Sequence, residues 1–463
     1  MDQDPKSVPQ TALAAEAGSA AAGPGLRREL TLFDAVAIVV GTVIGSGIFL
    51  IPSSIANDLS SLGAVLAVWL LGGVLTIFGA LSLAELGSMF PSTGGLCIYL
   101  RQAYGRFTAF LYAWGLLFMI HSGSIAALAV AFGLFAGQIV PLTGVQEKLI
   151  SAALVALLTL INCWGIRGGK LTQNLIAAAK ITGLAAIIVL LAVKGARPIR
   201  LSRLFAIPAS GIPFTFAHFG IALVAVLFAY EGWHIVSFVA GEMKRPQTDL
   251  PRGLYYGTAF VALVYLAANL GYYHLLTLAQ IRGTSALAAY AVGVVLGPAA
   301  RIAISALVLI SILGSLNGLI LTGPRVYLAM AQERAFPALF GRIDARYRTP
   351  IFALVVQGAW SAVLAVSGTY QQLFTDVIFT AWTFYALAVA GVIVLRRRCP
   401  EQERSFRVPG YPWLSLLFCA AAAGVVLSTI LERPLGALAG AALVLSGVPV
   451  YWYLTRRPRR ASG

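Results

Sequence analysis

Ionisable side chains are scarce in this chain. Only 11% of its 463 residues are charged, against about 25% in soluble domains, which excludes an ordinary water-exposed globular protein. Acid is the rarer sign: 17 Asp and Glu stand against 33 Lys and Arg, a net charge of +16. The four cysteines, Cys97, Cys163, Cys399 and Cys419, are far apart and form no CxxC, so neither a disulfide framework nor a zinc ribbon is implied. The four histidines, His121, His218, His234 and His274, fall into no HExxH or other metal-ligand spacing. No cofactor and no metal site is expected.

What is present is apolar. Hydrophobic residues make up 59% of the chain, and the mean hydropathy is +0.85. A helix crosses a bilayer with roughly 20 such residues. Twelve spans are expected, at about 32–55, 62–89, 107–140, 149–164, 173–193, 214–240, 254–278, 303–331, 351–367, 371–395, 413–431 and 435–454. Of the basic residues, 24 fall in the N-tail, the even-numbered loops and the C-tail, counting Arg325 near the inner end of span 8 with its loop; eight fall in the odd-numbered loops and one, Lys180, deep inside a span. Positive charge collects on the cytoplasmic side, so both termini are expected there, in a cell (inner) membrane. The Arg396-Arg397-Arg398 run and the Arg456 to Arg460 cluster then read as topology determinants near headgroups, not as a nucleic-acid surface. The local exception is the basic external loop with Lys194, Arg197, Arg200, Arg203 and Pro208. Residues 1–30 read as a disordered cytoplasmic tail without a signal-peptide core, and 456–463 as a basic tail.

The first span is interrupted by Gly41-Thr42-Val43-Ile44-Gly45-Ser46-Gly47-Ile48-Phe49. An opened helix is tolerated in lipid only against protein or a water-filled cavity. There its N–H end suits a carboxylate and its C=O end an ammonium, together the two charges of an amino-acid zwitterion. Gly41 and Gly45 also form a small-xxx-small pair that lets helices approach, and both readings stand at this point. Five spans later, Phe228-Ala229-Tyr230-Glu231-Gly232-Trp233 puts an acid and a glycine at mid-membrane. Paired interrupted helices in corresponding halves point to a transporter site. Residues 31–195 and 210–398 are then expected to be inverted repeats of five spans each, with 410–455 carrying two peripheral spans.

Intramembrane charges are functional-site hypotheses by default. Lys180 either snorkels to the interface or holds the broken backbone of span 1 where a sodium ion would otherwise sit. Glu231 is placed to attract an ammonium, to carry a proton, or to pair with Lys180. Asp376 reads as interfacial or as part of a gate, Asp34 and Glu85 as inner-face network residues, His121 and His218 as interfacial near span ends, and His234 as a possible neighbour of the site. Ser311, Ser315 and Asn317 in span 8, and Asn269, Tyr272 and Tyr273 in span 7, are either cavity residues or interhelical glue.

The glycine stretch of span 1 resembles the signature of the amino acid–polyamine–organocation (APC) transporters, within them the prokaryotic members of the L-amino-acid branch. Phe228 to Trp233, Gly241-Glu242-Met243-Lys244-Arg245-Pro246, Ala177-Ala178-Ala179-Lys180, Tyr265 to Tyr272 and Gly314-Ser315-Leu316-Asn317-Gly318 extend the resemblance in order, from Leu32 through span 12. It implies an all-α membrane protein of twelve transmembrane helices with a LeuT-like 5+5 inverted repeat and broken helices 1 and 6. It also implies substrate carboxylate on the amides around Ser46 and Gly47, and ammonium on carbonyls near Val43, Phe228 and Glu231. The expected binding set is Val43, Gly45, Ser46, Gly47, Phe228, Ala229, Glu231 and Tyr272. Lys180 with Ser311 and Ser315 is expected to substitute for a sodium site, as in sodium-independent members, and Phe228 with Asp376 to gate. Glu231 and His234 depart from the Gly or Asp and the Asn common at these places, so side-chain selectivity does not carry over. The external residues 141–148 have no cysteine, unlike animal members tethered to a heavy chain, and no heavy-chain subunit is expected. The expected function is sodium-independent amino-acid exchange by alternating access. The rivals are a proton-coupled symporter and a non-transporting amino-acid receptor; an enzyme is disfavoured because no nucleophile–base pair or metal set lies in the spans.

Overall fold

The structure is a computed structural model. It describes residues 28–456 apart from residues 93, 166–168, 198–203, 205–212 and 285, with only the backbone of 169–175 and 177. Residues 1–27 and 457–463 of the tails, with Arg167, Arg200, Arg203 and Pro208, lie outside the described residues, so the expectations placed on them have no structural counterpart here.

The described residues form helices joined by short connections: α1 (Leu32–Val43), α2 (Gly47–Asp58), α3 (Leu62–Met89), α4 (Leu96–Tyr104), α5 (Arg106–Gly115), α6 (His121–Ala136), α7 (Gly144–Cys163), α8 (Gly169–Lys194) and α9 (Phe216–Ala229). Then follow α10 (Pro246–Leu275), α11 (Leu278–Arg282), α12 (Leu287–Leu296), α13 (Pro298–Gln332), α14 (Ile351–Ser367), α15 (Tyr370–Arg398), α16 (Trp413–Glu432), α17 (Pro434–Leu445) and α18 (Gly447–Arg456). Among the described residues nine helical runs are long and apolar enough to cross a membrane, and ten when α1 and α2, bent by 45° at their junction, count as one broken span. The protein is therefore a multi-pass helical membrane protein. The 26-residue α8 and the 17-residue α14 stand where the fifth and ninth spans are expected. The short helices α11 and α12 occupy a stretch that the sequence reading leaves as loop.

Several helices begin on a threonine whose side chain accepts an otherwise orphaned backbone N–H. Thr31 with Asp34, Thr143 with Gln146, Thr277 with Gln280 and Thr369 with Gln372 form complete capping boxes at α1, α7, α11 and α15. Between α5 and α6 the run Leu116–Ile120 is a single π-helical stretch, a wider-turned bulge frequent at functional sites. It directly precedes His121.

One end of the bundle is arginine-rich and cross-braced. Glu85 on α3 is fully buried and accepts two bonds from the Arg396 guanidinium on α15, at 2.7 and 2.6 Å. It also accepts the Val408 N–H at 2.7 Å, and Arg404 approaches to 3.5 Å. Asp34 is taken up in its capping box with Thr31. At the same end Arg101 pairs with Glu333, and Arg325 with Glu242 at 3.4 Å. The strand-like segment before α1 docks there too, with Leu30 N–H on Glu242 O at 3.0 Å and Lys244 N–H on Leu30 O at 2.9 Å.

Removing one partner of a buried ion pair leaves the other uncompensated, at a cost of about 3–5 kcal/mol. Glu85→Ala is expected to lower the melting temperature of the purified protein strongly. The double variant Glu85→Ala/Arg396→Ala should be less destabilised than the sum of the two single variants; strict additivity would show that the pair is not coupled.

Candidate functional site

α1 stops because its ladder runs out of acceptors at the glycines. The Ile44 N–H still reaches Val40 O at 3.0 Å, but the Gly45 N–H turns back to Val43 O at 2.8 Å. The chain passes through Ser46, and α2 restarts at Gly47. The first amides of a helix have no intrahelical acceptor and carry its positive end, so the N–H groups at Gly47 and Ile48 open into the break. In the sixth span, α9 ends at Ala229, Gly232 takes a left-handed φ of 107°, and a 3-10 helix, Trp233–Glu242, carries the chain onward.

The two breaks touch. A Cβ placed on Gly47 would lie 2.7 Å from Ala229 Cα, and one on Gly232 would lie 3.2 Å from Thr42 O; any larger residue at Gly47 would push the two helices apart. Thr42 Oγ1 donates to Gly232 O at 3.2 Å. Tyr265, fully buried on α10, places its hydroxyl 3.0 Å from both Val43 O and Ala229 O. One phenol proton is thus shared between the last carbonyls of the two interrupted helices.

Lys180 on α8 is buried, and its Nζ donates to Gly41 O at 3.1 Å and to Ser315 Oγ at 2.7 Å. It does not snorkel, and it does not pair with Glu231. Ser311, one turn before Ser315, is buried with its hydroxyl unpartnered, and Asn317 faces away, accepting from Asn162 Nδ2 at 2.8 Å.

Between the breaks lies a cavity of about 40 Å³, room for a few waters at roughly 10–15 Å³ each. Val43, Gly45, Ser46, Gly47, Phe228, Ala229 and Glu231 all line it, joined by Thr42, Gly232, His234, Ile235 and Leu319 and by His121, Ser124 and Leu128 from one stripe of α6. Phe228 packs against Tyr370 and Phe374 of α15, with ring centroids 6.0 and 5.6 Å away. Ser46 Oγ and Tyr370 Oη lie 3.1 Å apart, so the aromatic cap is tied to the first break. Glu231 Oε1 accepts from Tyr385 Oη at 2.5 Å, and the same hydroxyl lies 3.0 Å from His234 Nδ1.

Three sequence expectations are corrected here. Tyr272 is buried on α10 with its hydroxyl unpartnered and does not line the cavity; Tyr265, seven residues earlier on the same face, holds the breaks instead. Asp376 points at α17, its Oδ1 3.2 Å from where a Cβ on Gly436 would stand, and the aromatic partners of Phe228 are Tyr370 and Phe374. His121 is not interfacial. It sits midway along the 31-residue run Arg106–Ala136, 1% exposed, on the cavity wall. His218 does stand at the start of α9, where Thr215 caps its amide. Among the described residues no group of three or more His, Cys, Asp or Glu could hold a metal ion.

A family model described as amino acid permease matches residues 30–443. This chain belongs to the amino acid permease family. It is 32% identical to the serine/threonine exchanger SteT of Bacillus subtilis (strain 168) over 440 residues, 94% of this chain and 98% of that one. It is 31% identical to the human large neutral amino acids transporter small subunit 2 over 459 residues (96% and 84%). To the human cystine/glutamate transporter it is 29% identical over 436 residues (92% and 85%). These relatives are APC-family transporters rather than enzymes, and the permease shares with them nearly its whole length.

Tyr265→Phe removes one oxygen and leaves the packing in place. Two buried carbonyls then lose their donor, at about 1–3 kcal/mol. Faster amide hydrogen exchange is expected around residues 41–49 and 228–235; unchanged exchange at both would show that the hydroxyl does not hold the breaks.

Proposed function

We propose that the permease is a sodium-independent amino-acid exchanger that binds the zwitterion between the two broken helices and works by alternating access. The observation that carries this reading is the meeting of both breaks at one small cavity lined by Val43, Gly45, Ser46, Gly47, Phe228, Ala229 and Glu231. A carboxylate suits the amides of Ser46 and Gly47, and an ammonium suits the carbonyls near Val43, Phe228 and Glu231. Sodium independence is supported by the Lys180 ammonium at Gly41 O and Ser315, because unwound-helix carbonyls are where coupling sodium binds in broken-helix transporters. Phe228, Tyr370 and Phe374 act as the gate on the side away from the arginine-rich end.

The architecture that goes with this reading is twelve spans in two inverted repeats of five. It is supported by breaks five spans apart and by α8 and α14 at the fifth and ninth places. The charge asymmetry of the loops supports an inner-membrane protein with both termini cytoplasmic. The cysteine-free residues 141–148 support a subunit that works without a heavy chain.

Proteoliposomes without sodium test the function. Labelled amino acid should enter quickly only when unlabelled amino acid is inside, and sodium should add nothing. Entry indifferent to internal amino acid contradicts exchange, and binding without any flux makes the protein a receptor. Lys180→Ala forfeits a charge-assisted bond worth about 1.5–3 kcal/mol, and exchange should fall by about tenfold to a hundredfold.

A second reading, proton-coupled symport, is favoured by the Glu231–Tyr385–His234 chain of hydrogen bonds. It requires that an inward proton gradient drive accumulation and that Glu231→Gln abolish it.

A further inference from the structure

The zwitterion is proposed to occupy main-chain groups, yet the cavity wall also carries side-chain atoms with no hydrogen-bond partner among the described residues. Glu231 lines it with Oε1 fixed by Tyr385, while Oε2 is buried without a partner. His121 lines it from α6, and both its ring nitrogens are buried without a partner. An unmet buried polar group is costly, and native structures leave few of them. Building the imidazole and carboxylate into the wall of one small hole therefore calls for a ligand that pairs them.

We propose that His121 and Glu231 read a hydrogen-bonding group on the side chain of the transported amino acid. The permease then selects short amino acids carrying a hydroxyl or a carboxamide over apolar ones of the same shape. This rests on the proposed binding of an amino-acid zwitterion between the breaks.

Position supports it. Leu128 touches the first break, its Cδ2 3.4 Å from where a Cβ on Gly45 would lie. His121 is two turns nearer the start of α6, about 10 Å along its axis at 1.5 Å per residue. Two hydrogen bonds of about 3 Å each leave a few ångströms between the groups they hold. That fits the separation of a carboxylate from the tip of a short side chain. Glu231 is also the counterion that a long cationic side chain would seek, so lysine is the competitor that separates the two readings. A hydroxyl both donates and accepts, so it satisfies a carboxylate oxygen and an imidazole N–H together. His234 and Tyr385 already bond each other and Glu231 Oε1, which keeps Oε2 as the open acceptor. A methyl in place of the hydroxyl displaces water and pairs nothing, the situation in which a polar site rejects its apolar isostere most strongly.

Threonine and valine have the same shape and differ in one hydroxyl. The test is competition by each against labelled alanine exchange in proteoliposomes, with lysine as a third competitor. Threonine should compete about 10–100-fold better than valine, and lysine should hardly compete. In Glu231→Ala and His121→Leu the threonine-to-valine ratio should collapse toward one, whatever happens to the absolute rate. His121→Gln, which keeps a donor and an acceptor, should restore most of it. Equal competition by threonine and valine in the unmodified protein overturns the proposal, as does lysine outcompeting threonine or a ratio unchanged in both variants. These results would leave the exchange reading standing. Absence of alanine exchange would instead remove the reading on which the proposal rests, and the proposal with it.

Discussion

A phenol and an ammonium hold two membrane helices open. In hydrocarbon a backbone carbonyl released from a helix has no water to turn to, so an interruption at half depth persists only where other groups take the freed acceptors. Tyr265 does this for Val43 and Ala229 with one hydroxyl, and Lys180 does it for Gly41. The amides at the start of α2 are left over. They are the groups in the site whose natural partner is an anion.

The packing around the breaks explains why they sit together. Gly47 lets α2 lie against Ala229, and Gly232 lets the second break pass under Thr42 O. Trp69 of α3 packs edge-on against Tyr265 at 5.4 Å and against Tyr230 at 6.0 Å, and Tyr230 donates to Trp69 O. The hydroxyl that bridges the breaks is thereby positioned by an aromatic cluster rather than by a flexible side chain. On the opposite wall, the π-helical stretch before α6 precedes the face that brings His121, Ser124 and Leu128 to the cavity. Away from the site, the ion pairs of Glu85, Glu242 and Glu333 brace the arginine-rich end. The contact between Ser46 and Tyr370 ties α2 to the first turn of α15.

The sequence makes the breaks themselves legible. Three glycines and a serine inside an apolar run, and an acid beside a glycine in another, conflict so plainly with a continuous span that both interruptions can be placed within a residue or two. Lys180 stands out for the same reason, being a lone charge in apolar surroundings. Tyr265 carries no such mark: a tyrosine in the middle of an apolar helix reads as packing, and the choice of Tyr272 falls two turns along the right face. The interfacial reading of His121 does not follow from the span's own bounds, 107–140, which already set it well inside the membrane. Tyr370 is hidden for a different reason. It is the first residue of α15, and only the tertiary meeting with Ser46 and Phe228 gives it a place at the cavity. Asp376 draws attention by its charge, yet the helix turns it toward Gly436. The short helices α11 and α12 lie between spans, where apolar periodicity is too brief to declare itself.

The central claim is that both charges of a zwitterion are held by main-chain dipoles exposed where two helices open. Competition by modified ligands tests it most directly. An amino acid that displaces a labelled one from the purified permease should lose nearly all its potency as its methyl ester, which has no carboxylate. It should lose as much as its N-acetyl derivative, which has no ammonium. If either derivative competes as well as the parent amino acid, the corresponding end of the site does not bind charge, and the account of the two breaks as a zwitterion clamp is contradicted.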